Sequence, residues 1–506
     1  MKKIIGVIAL FSFFGLGGTP ALALTEEEAA HLLRRTQFSF TPQEVDILLP
    51  LSRRQAAEHL VGKQVRAAKT PRRKWLPLLD QLESKVRGGG RQADLDDIRK
   101  ELDALAASLA DDRMDSDDRF KKSLRNASRK DSGARKLLGR INSRVLGVDL
   151  KAWWWEEILS TESQLNEKLV LFWHNHFPAD IKKVRDLGTL QDQNELFRRE
   201  GMGSYRTLLH AVAKHPAMLI YLDGAKSRKA HPNENFAREV MELFTLGEGN
   251  YTERDIREAA RAFTGWSLIP ASRQFVFRPR WHDGGRKTVL GRTGNFTGEQ
   301  VIDLLLERPE TARFITRKLW REFVSPDLES SRIRIEELAT GFQASGYNIS
   351  TLLVELLGSD EFHAPENRGA LIKSPVHLVA SLVRSFGLES ARVFPLIQAS
   401  RNMGQDLYMP PNVKGWPGHE QWITTHTLSV RKGFIDRVFQ GEDVKVPGRQ
   451  KRYGPAAWIA QFGPDAATSR QRLVRHLMAV PWGASTEADP ARFLESLVAA
   501  PEYQIH

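Results

Sequence analysis

The segment Trp173-His174-Asn175-His176-Phe177 sets two imidazoles two residues apart. On a strand that spacing points both rings at one divalent metal; on a helix it turns them about 200° apart. Pro178 follows at once and biases the chain to leave the helix, which is what a shared metal would require. The structural alternative makes His176 a core histidine on an apolar face with Leu165, Leu169 and Phe172, and His174 a hydrogen-bonding bridge. A second constellation runs from Pro232 to Glu242. Asn233 is a good N-cap, and Asn235, Glu239 and Glu242 recur on one helical face beside a Glu234/Arg238 i,i+4 pair. With Phe236, Val240 and Leu243 turned to the core, that stripe is either a solvated face or the wall of a cleft. A third set, His282, Asp283 and Lys287, brackets Gly284-Gly285 and can orient a base or bind a metal, although Asp283 also serves as an ordinary turn residue. Finally, Asn412, Lys414 and Trp416 sit in a stiff loop, Pro410 to Gly418, followed by Trp422. Such a loop suits stacking on a sugar or peptide, or the sealing of a joint between domains.

The elements that must carry these groups are mostly helical. Thr25 with Glu28 forms a capping box, and Thr41-Pro42 opens a second helix. Thr161 is expected to cap the helix that ends in the two histidines, Asn233 one that stops at Gly247, and Thr252 with Asp255 a third. Around 274–291 the period changes to two. Phe275 and Phe277 alternate, Asp283-Gly284-Gly285 offers turn chemistry, and Thr288 to Leu290 follows, which predicts one β-hairpin. In the charged stretch 66–145, two heptad-like runs flank Gly88-Gly89-Gly90 and predict a protruding helical hairpin. Leu352–Phe362 and Phe493–Tyr503 echo one another as a helix followed by a turn. The fold expected is therefore mainly α: a large helical body with a small β-hairpin and a protruding charged helical hairpin. Its expected divisions are a leader over 1–23, N-terminal helices over 24–65, the charged insertion over 66–145, the motif-bearing domain over 146–435 and a C-terminal helical segment over 436–506.

Lys2 and Lys3, the apolar run Ile4–Leu16 and the small-residue site Ala21-Leu22-Ala23 read as a secretory signal peptide. The apolar run is too short for a membrane span, and no later one is free of charges for long enough, so no transmembrane anchor is expected after cleavage. Periplasmic or secreted location follows from the leader. The net charge of +12 favours an anionic partner such as an acidic polysaccharide or cell-envelope polymer, and export disfavours nucleic acid. The chain has no cysteine, which excludes disulfides, thiolate metal sites and cysteine nucleophiles. Nucleophile-elbow, phosphate-loop, dinucleotide and zincin motifs are absent too. The Gly247–Glu253 joint lacks the alternating carboxylates of a calcium loop.

Several stretches together resemble the domain-of-unknown-function 1800 family of exported bacterial proteins. They are His31–Arg35, Leu171–Phe177, Pro216–Asp223, Asn233–Trp266, His282-Asp283, Lys373–Val376 and Gly404–Trp422. The resemblance spans nearly the whole mature chain; 66–145 matches least and looks like an insertion. It implies large exported proteins without an assigned reaction, whose genes commonly neighbour those of a sulfatase-like family. The family's polar motifs map onto His174, Asn175, His176, Asn233, Glu234, Asn235, Arg238, Glu239, Glu242, His282 and Asp283, which favours a cleft built from these groups.

Two functions are expected to compete. In the first, the chain is a metal-assisted enzyme acting on an extracellular carbohydrate-rich or anionic polymer. His174, His176, Glu239 and His282 are then metal ligands or acid–base groups, with Asp283 beside them. Asn235, Arg238, Lys287, Asn412, Lys414 and Trp416 contact substrate. In the second, it is a non-catalytic adaptor that partners a sulfatase-like protein, and the polar motif is a buried structural network. The test is convergence: an enzyme gathers these imidazoles and carboxylates at one open pocket.

Overall fold

The structure is a computed structural model, and it describes residues 23–63, 67, 68, 147–270, 272–387, 393–440, 455–483 and 487–506. The leader residues 1–22 and the charged stretch 69–146, with its expected helical hairpin, lie outside the described residues.

The chain is mainly α-helical, and its centre is the helix Gln164–His176. This helix is buried almost all the way round, so each of its polar groups needs an internal partner. Glu167 takes two hydrogen bonds from Arg198 at 2.8 and 2.9 Å and one from Trp154 Nε1 at 2.7 Å. Asn166 donates to Arg198 O, and Lys168 Nζ donates to Arg35 O at 2.5 Å. Gln164 Oε1 accepts from the main-chain N–H of Phe38 and of Ser39. The neighbouring helix Leu187–Glu200 lies along it, and Trp153, Trp154 and Trp155 of helix Gly147–Ser160 are wholly buried. Pro178 stops the central helix only after His176, so both histidines remain helical; the helix begins after Ser163, not at Thr161.

The caps read from sequence form as expected at Thr25/Glu28, Thr41/Glu44, Asn233 and Thr252/Asp255. Helix Glu234–Glu242 is shorter than its sequence pattern, and the chain turns through Gly247, whose φ is +76°. The two echoing segments are indeed both a helix followed by a short helical turn: Ile349–Leu357 with Asp360–His363, and Pro490–Ala499 with Pro501–Gln504.

The β-structure differs in its pairing. Phe275–Phe277 pairs antiparallel with Trp266–Leu268, and Lys287–Val289 with Arg292–Gly294, giving two hairpins where one was expected across Asp283. The second closes through Leu290 and Gly291, at φ +51° and +80°, the positive pair that a tight two-residue hairpin needs. Asp283 is spent elsewhere: its Oδ1 accepts from Gly285 N at 2.9 Å, which bends the chain without pairing its flanks.

The N- and C-terminal helices join the same hydrophobic core as the segments between them. Arg34 Nη1 donates to Arg475 O at 2.7 Å, and His506 pairs with Leu371 in both directions, N to O at 2.9 and 3.3 Å. Helix Glu26–Thr36 and the last residues therefore meet beside the start of helix Pro375–Ser385, the arrangement that builds the cavities described below.

Candidate functional site

The sequence-predicted groups fall into three unlike environments. His174 and His176 belong to the interior. His174 is packed against Trp154, Phe197 and Tyr408, with its Nε2 3.1 Å from Asn194 Nδ2. His176 sits between Lys318 and Tyr205. Tyr205 spends its proton on Phe244 O, so its oxygen accepts from His176 Nε2–H at 3.1 Å, while Nδ1 accepts from Lys318 Nζ at 2.9 Å. Burial holds both imidazoles well below their usual pKa, assisted by Arg198 and His215 at His174 and by Lys318 at His176. They are neutral, buried and directed to different partners, as residues two apart on a helix must be. The bridging role weighed for His174 and the core role weighed for His176 describe what is seen.

Glu239 lies on helix Glu234–Glu242, mostly buried and with its carboxyl pushed up by burial and by Glu242, against the pull of Arg238 and Lys414. Arg238 does not pair with Glu234. It makes a two-pronged ion pair with Glu253 on the next helix at 2.7 and 2.7 Å, because Glu253 at that helix's start offers both oxygens to the guanidinium fork. Asn235 is exposed. Lys414 pairs with Glu248 at 3.2 Å, and Asn412 Oδ1 is taken by Lys414 N at 2.8 Å. This is a partly solvated charged face that brings Glu239, Arg238 and Lys414 into one electrostatic neighbourhood.

His282, Asp283 and Lys287 form the third environment, at the hairpins. Asp283 is held by Arg261 through Nε at 2.7 Å and Nη2 at 3.3 Å, and this pairing draws its carboxyl down to about 2. Lys287 is buried, where desolvation lowers its pKa, and its ammonium donates to the main-chain oxygens of Asp283 and Gly285. His282 Nδ1 donates to Thr264 O at 2.9 Å. The four side chains expected to share a metal, His174, His176, Glu239 and His282, are thus not gathered into one donor set. Among the described residues no three His, Asp or Glu side chains stand close enough to hold an ion.

Two of the groups singled out in the sequence, Asn175 and Trp416, do wall a cavity. Trp416 lies 4% exposed, and its loop is locked to the central helix by Asn175, whose Oδ1 accepts from Trp416 N at 2.6 Å. Gly415 makes the approach possible: at φ +88°, a Cβ there would stand 2.2 Å from Asn175 Oδ1 and 2.4 Å from Asn175 O. Between this loop and the helices Gln164–His176, Pro309–Phe323 and Pro375–Ser385 is a cavity of about 90 Å³. Its chemistry comes from Lys168, Glu322, His377 and His419, and Trp416 and Trp422 supply aromatic wall. Burial presses Lys168 down and Glu322 up, towards one another; the attraction of each for the other only partly opposes this, and Arg35 presses Lys168 down further. His377, mostly buried, is held well below its usual range by burial and then by Lys168 and Lys373.

Sequence reasoning singled out the loop but not Lys168, Glu322, His377 or His419. Lys168 and Glu322 lie on helices 154 positions apart in the chain, each looking like an ordinary charged helical residue. A usable signal was present in the resemblance, since His31–Arg35 and Lys373–Val376 matched as motifs and both abut this region.

A family model describing a protein of unknown function, DUF1800, matches residues 31–505. The match covers nearly the whole chain, so the chain belongs to the DUF1800 family. No curated protein and no solved structure matches it.

Proposed function

We propose that this member of the DUF1800 family is an exported enzyme that takes an acidic substituent of a carbohydrate-rich polymer into the Trp416/Trp422 cavity and works on it by acid–base catalysis. The observation that carries the reading is that Lys168 and Glu322 line one cavity with Trp416 and Trp422, where burial disfavours the charged form of each. Acid–base groups work best when their pKa lies near the operating pH. The cavity has room for a sulfate or phosphoryl group, and Trp416 and Trp422 offer faces against which the sugar that carries it can pack. An entering anion keeps Lys168 charged and Glu322 protonated; water attacks the sulfur or phosphorus as its bond to the sugar oxygen breaks, Glu322 gives its proton to that departing oxygen, and the proton released by the water returns to Glu322. The net positive charge of the chain favours the approach of such a polymer. Export rests on the leader pattern in residues 1–23.

The experiment is titration of purified protein with acidic and neutral oligosaccharides, followed by tryptophan emission and by product analysis. Acidic ligands are expected to change the emission saturably and neutral ones not. Lys168→Met should abolish binding, and Glu322→Gln should bind but form product at least ~100-fold more slowly, the low end of the usual contribution of acid–base catalysis. Equal response to neutral and acidic ligands, or full turnover by Glu322→Gln, overturns the reading.

One observation favours the second reading, a non-catalytic adaptor that partners a sulfatase-like protein. His174, His176, Asp283 and Lys287 spend their polar atoms on internal bonds, as a structural network does. Co-purification with a sulfatase-like protein that survives Lys168→Met and Glu322→Gln, without any turnover of acidic ligands by the wild type, would establish it.

A further inference from the structure

A second, smaller cavity of about 20 Å³ adjoins the first, sharing Phe38, His377 and His506 with it. It is lined by Arg34, Lys373, His377, His476, Tyr503 and His506, with no Asp or Glu among the described residues that form its wall. Lys373 is 4% exposed. Its main chain is pinned on both sides, N to Gln504 O at 2.8 Å and O from Arg431 Nη2 at 2.9 Å, which fixes where the buried side chain starts. Its ammonium lies 3.6 Å from the centroid of the Tyr503 ring, and no acceptor among the described residues takes its protons. Each charged group acting on it, Arg34, Lys168 and Arg431, is positive. The adjoining His377 has no hydrogen bond on its ring among the described residues and meets His506 edge to face at 4.5 Å. His506 Nδ1 donates to Arg34 O at 3.2 Å, and its main-chain oxygen is occupied by Leu371 N. Arg34 Nε and Arg35 Nε and Nη1 are buried without partners nearby.

Buried cations are ordinarily paired, and an ammonium whose protons meet no acceptor leaves the fold with an uncompensated charge. From this cluster we propose that the inner cavity is a binding site for one small inorganic anion of chloride size, held by the Lys373 ammonium and the His377 ring N–H. The size follows from the space: about 20 Å³ admits a single water-sized occupant and excludes sulfate, phosphate or a ligand carboxylate with its carbon. The alternative occupant is a water beside a neutral Lys373, towards which burial and the neighbouring cations push the amine. The two differ in one respect, because only the anion makes the protein's stability depend on halide.

The test uses the full chain without any polymer ligand, so its outcome is independent of the function proposed above. Thermal unfolding is followed while sodium chloride replaces sodium gluconate at constant ionic strength. A ligand bound only by the folded state raises the midpoint saturably, by roughly 2–3 °C at a hundred times its dissociation constant for a chain of this size. Bromide should substitute for chloride, and Lys373→Met should remove the response. Equal midpoints in chloride and gluconate overturn the site, as does a halide response that Lys373→Met leaves unchanged. Should Lys373→Met fail to fold, crystals of the wild type in bromide decide the matter. An anomalous peak between Lys373 and His377 supports the site, and a peak-free cavity refutes it.

Discussion

Replacing Gly415 by alanine should unseat the loop that closes the larger cavity. The added Cβ would lie 2.4 Å from the main-chain oxygen of Asn175 and 2.2 Å from its Oδ1, both far inside van der Waals contact. Asn175 Oδ1 can rotate away, but the main-chain oxygen belongs to the last turn of the helix Gln164–His176 and cannot, so the loop must move. Three costs then add. A non-glycine residue at φ +88° costs about 1–2 kcal/mol. Losing the Trp416 N–H to Asn175 Oδ1 bond costs about 1 kcal/mol. Forcing the packing around Trp416 costs about 1–3 kcal/mol. The expected total is about 3–6 kcal/mol, read as a fall in the denaturant midpoint at unchanged slope, with a red shift in tryptophan emission as Trp416 reaches water. Adding Asn175→Ala to Gly415→Ala should restore little, since the main-chain oxygen remains, and the pair should be less than additive because both remove the same bond. A loss below ~1 kcal/mol with native emission would refute the argument that this contact positions the loop.

Other outcomes follow from the same reasoning. Glu167→Ala strands Arg198 in the interior, where both side chains are 1–2% exposed, and should cost about 3–5 kcal/mol by chemical denaturation; a loss under ~1 kcal/mol would mean that water reaches the guanidinium. Asp283 has a folded pKa of about 2, below its unfolded value, so its contribution is complete above the unfolded pKa and is lost as pH falls through about 2. Urea midpoints measured from pH 7 down to pH 3 should therefore decline less steeply for Asp283→Asn, with about 1 kcal/mol of acid-dependent stability removed over that range. Asn233→Ala should cost about 1 kcal/mol by loss of its cap on Phe236 N, and an unchanged thermal midpoint would show that the helix start is held otherwise.

The mainly α character and most helix starts were legible in local sequence, because a cap is decided within four residues. Thr252 and Asp255 find each other whatever the rest of the chain does. Two of the four strands, Trp266–Leu268 and Arg292–Gly294, were not legible in this way. Phe275–Phe277 was read correctly as extended, but its partner is Trp266–Leu268 on the other side of a turn, a choice made by packing and not by the period of two. Likewise the Glu234/Arg238 pair was sound as helix geometry, yet Arg238 reaches a better acceptor in Glu253, brought alongside by the meeting of two helices.

For the candidate site the division is sharper. The sequence by itself determined which residues are chemically capable, that the two histidines would diverge if helical, and that the Trp416 loop would be stiff. Only the tertiary structure decided which of them meet. Lys168 and Glu322 face one cavity, and Arg34 and Lys373 another, because three helices and the last residues of the chain converge there. Their altered ionisation arises from burial and from each other, and desolvation is a property of the assembled interior that no stretch of sequence carries alone.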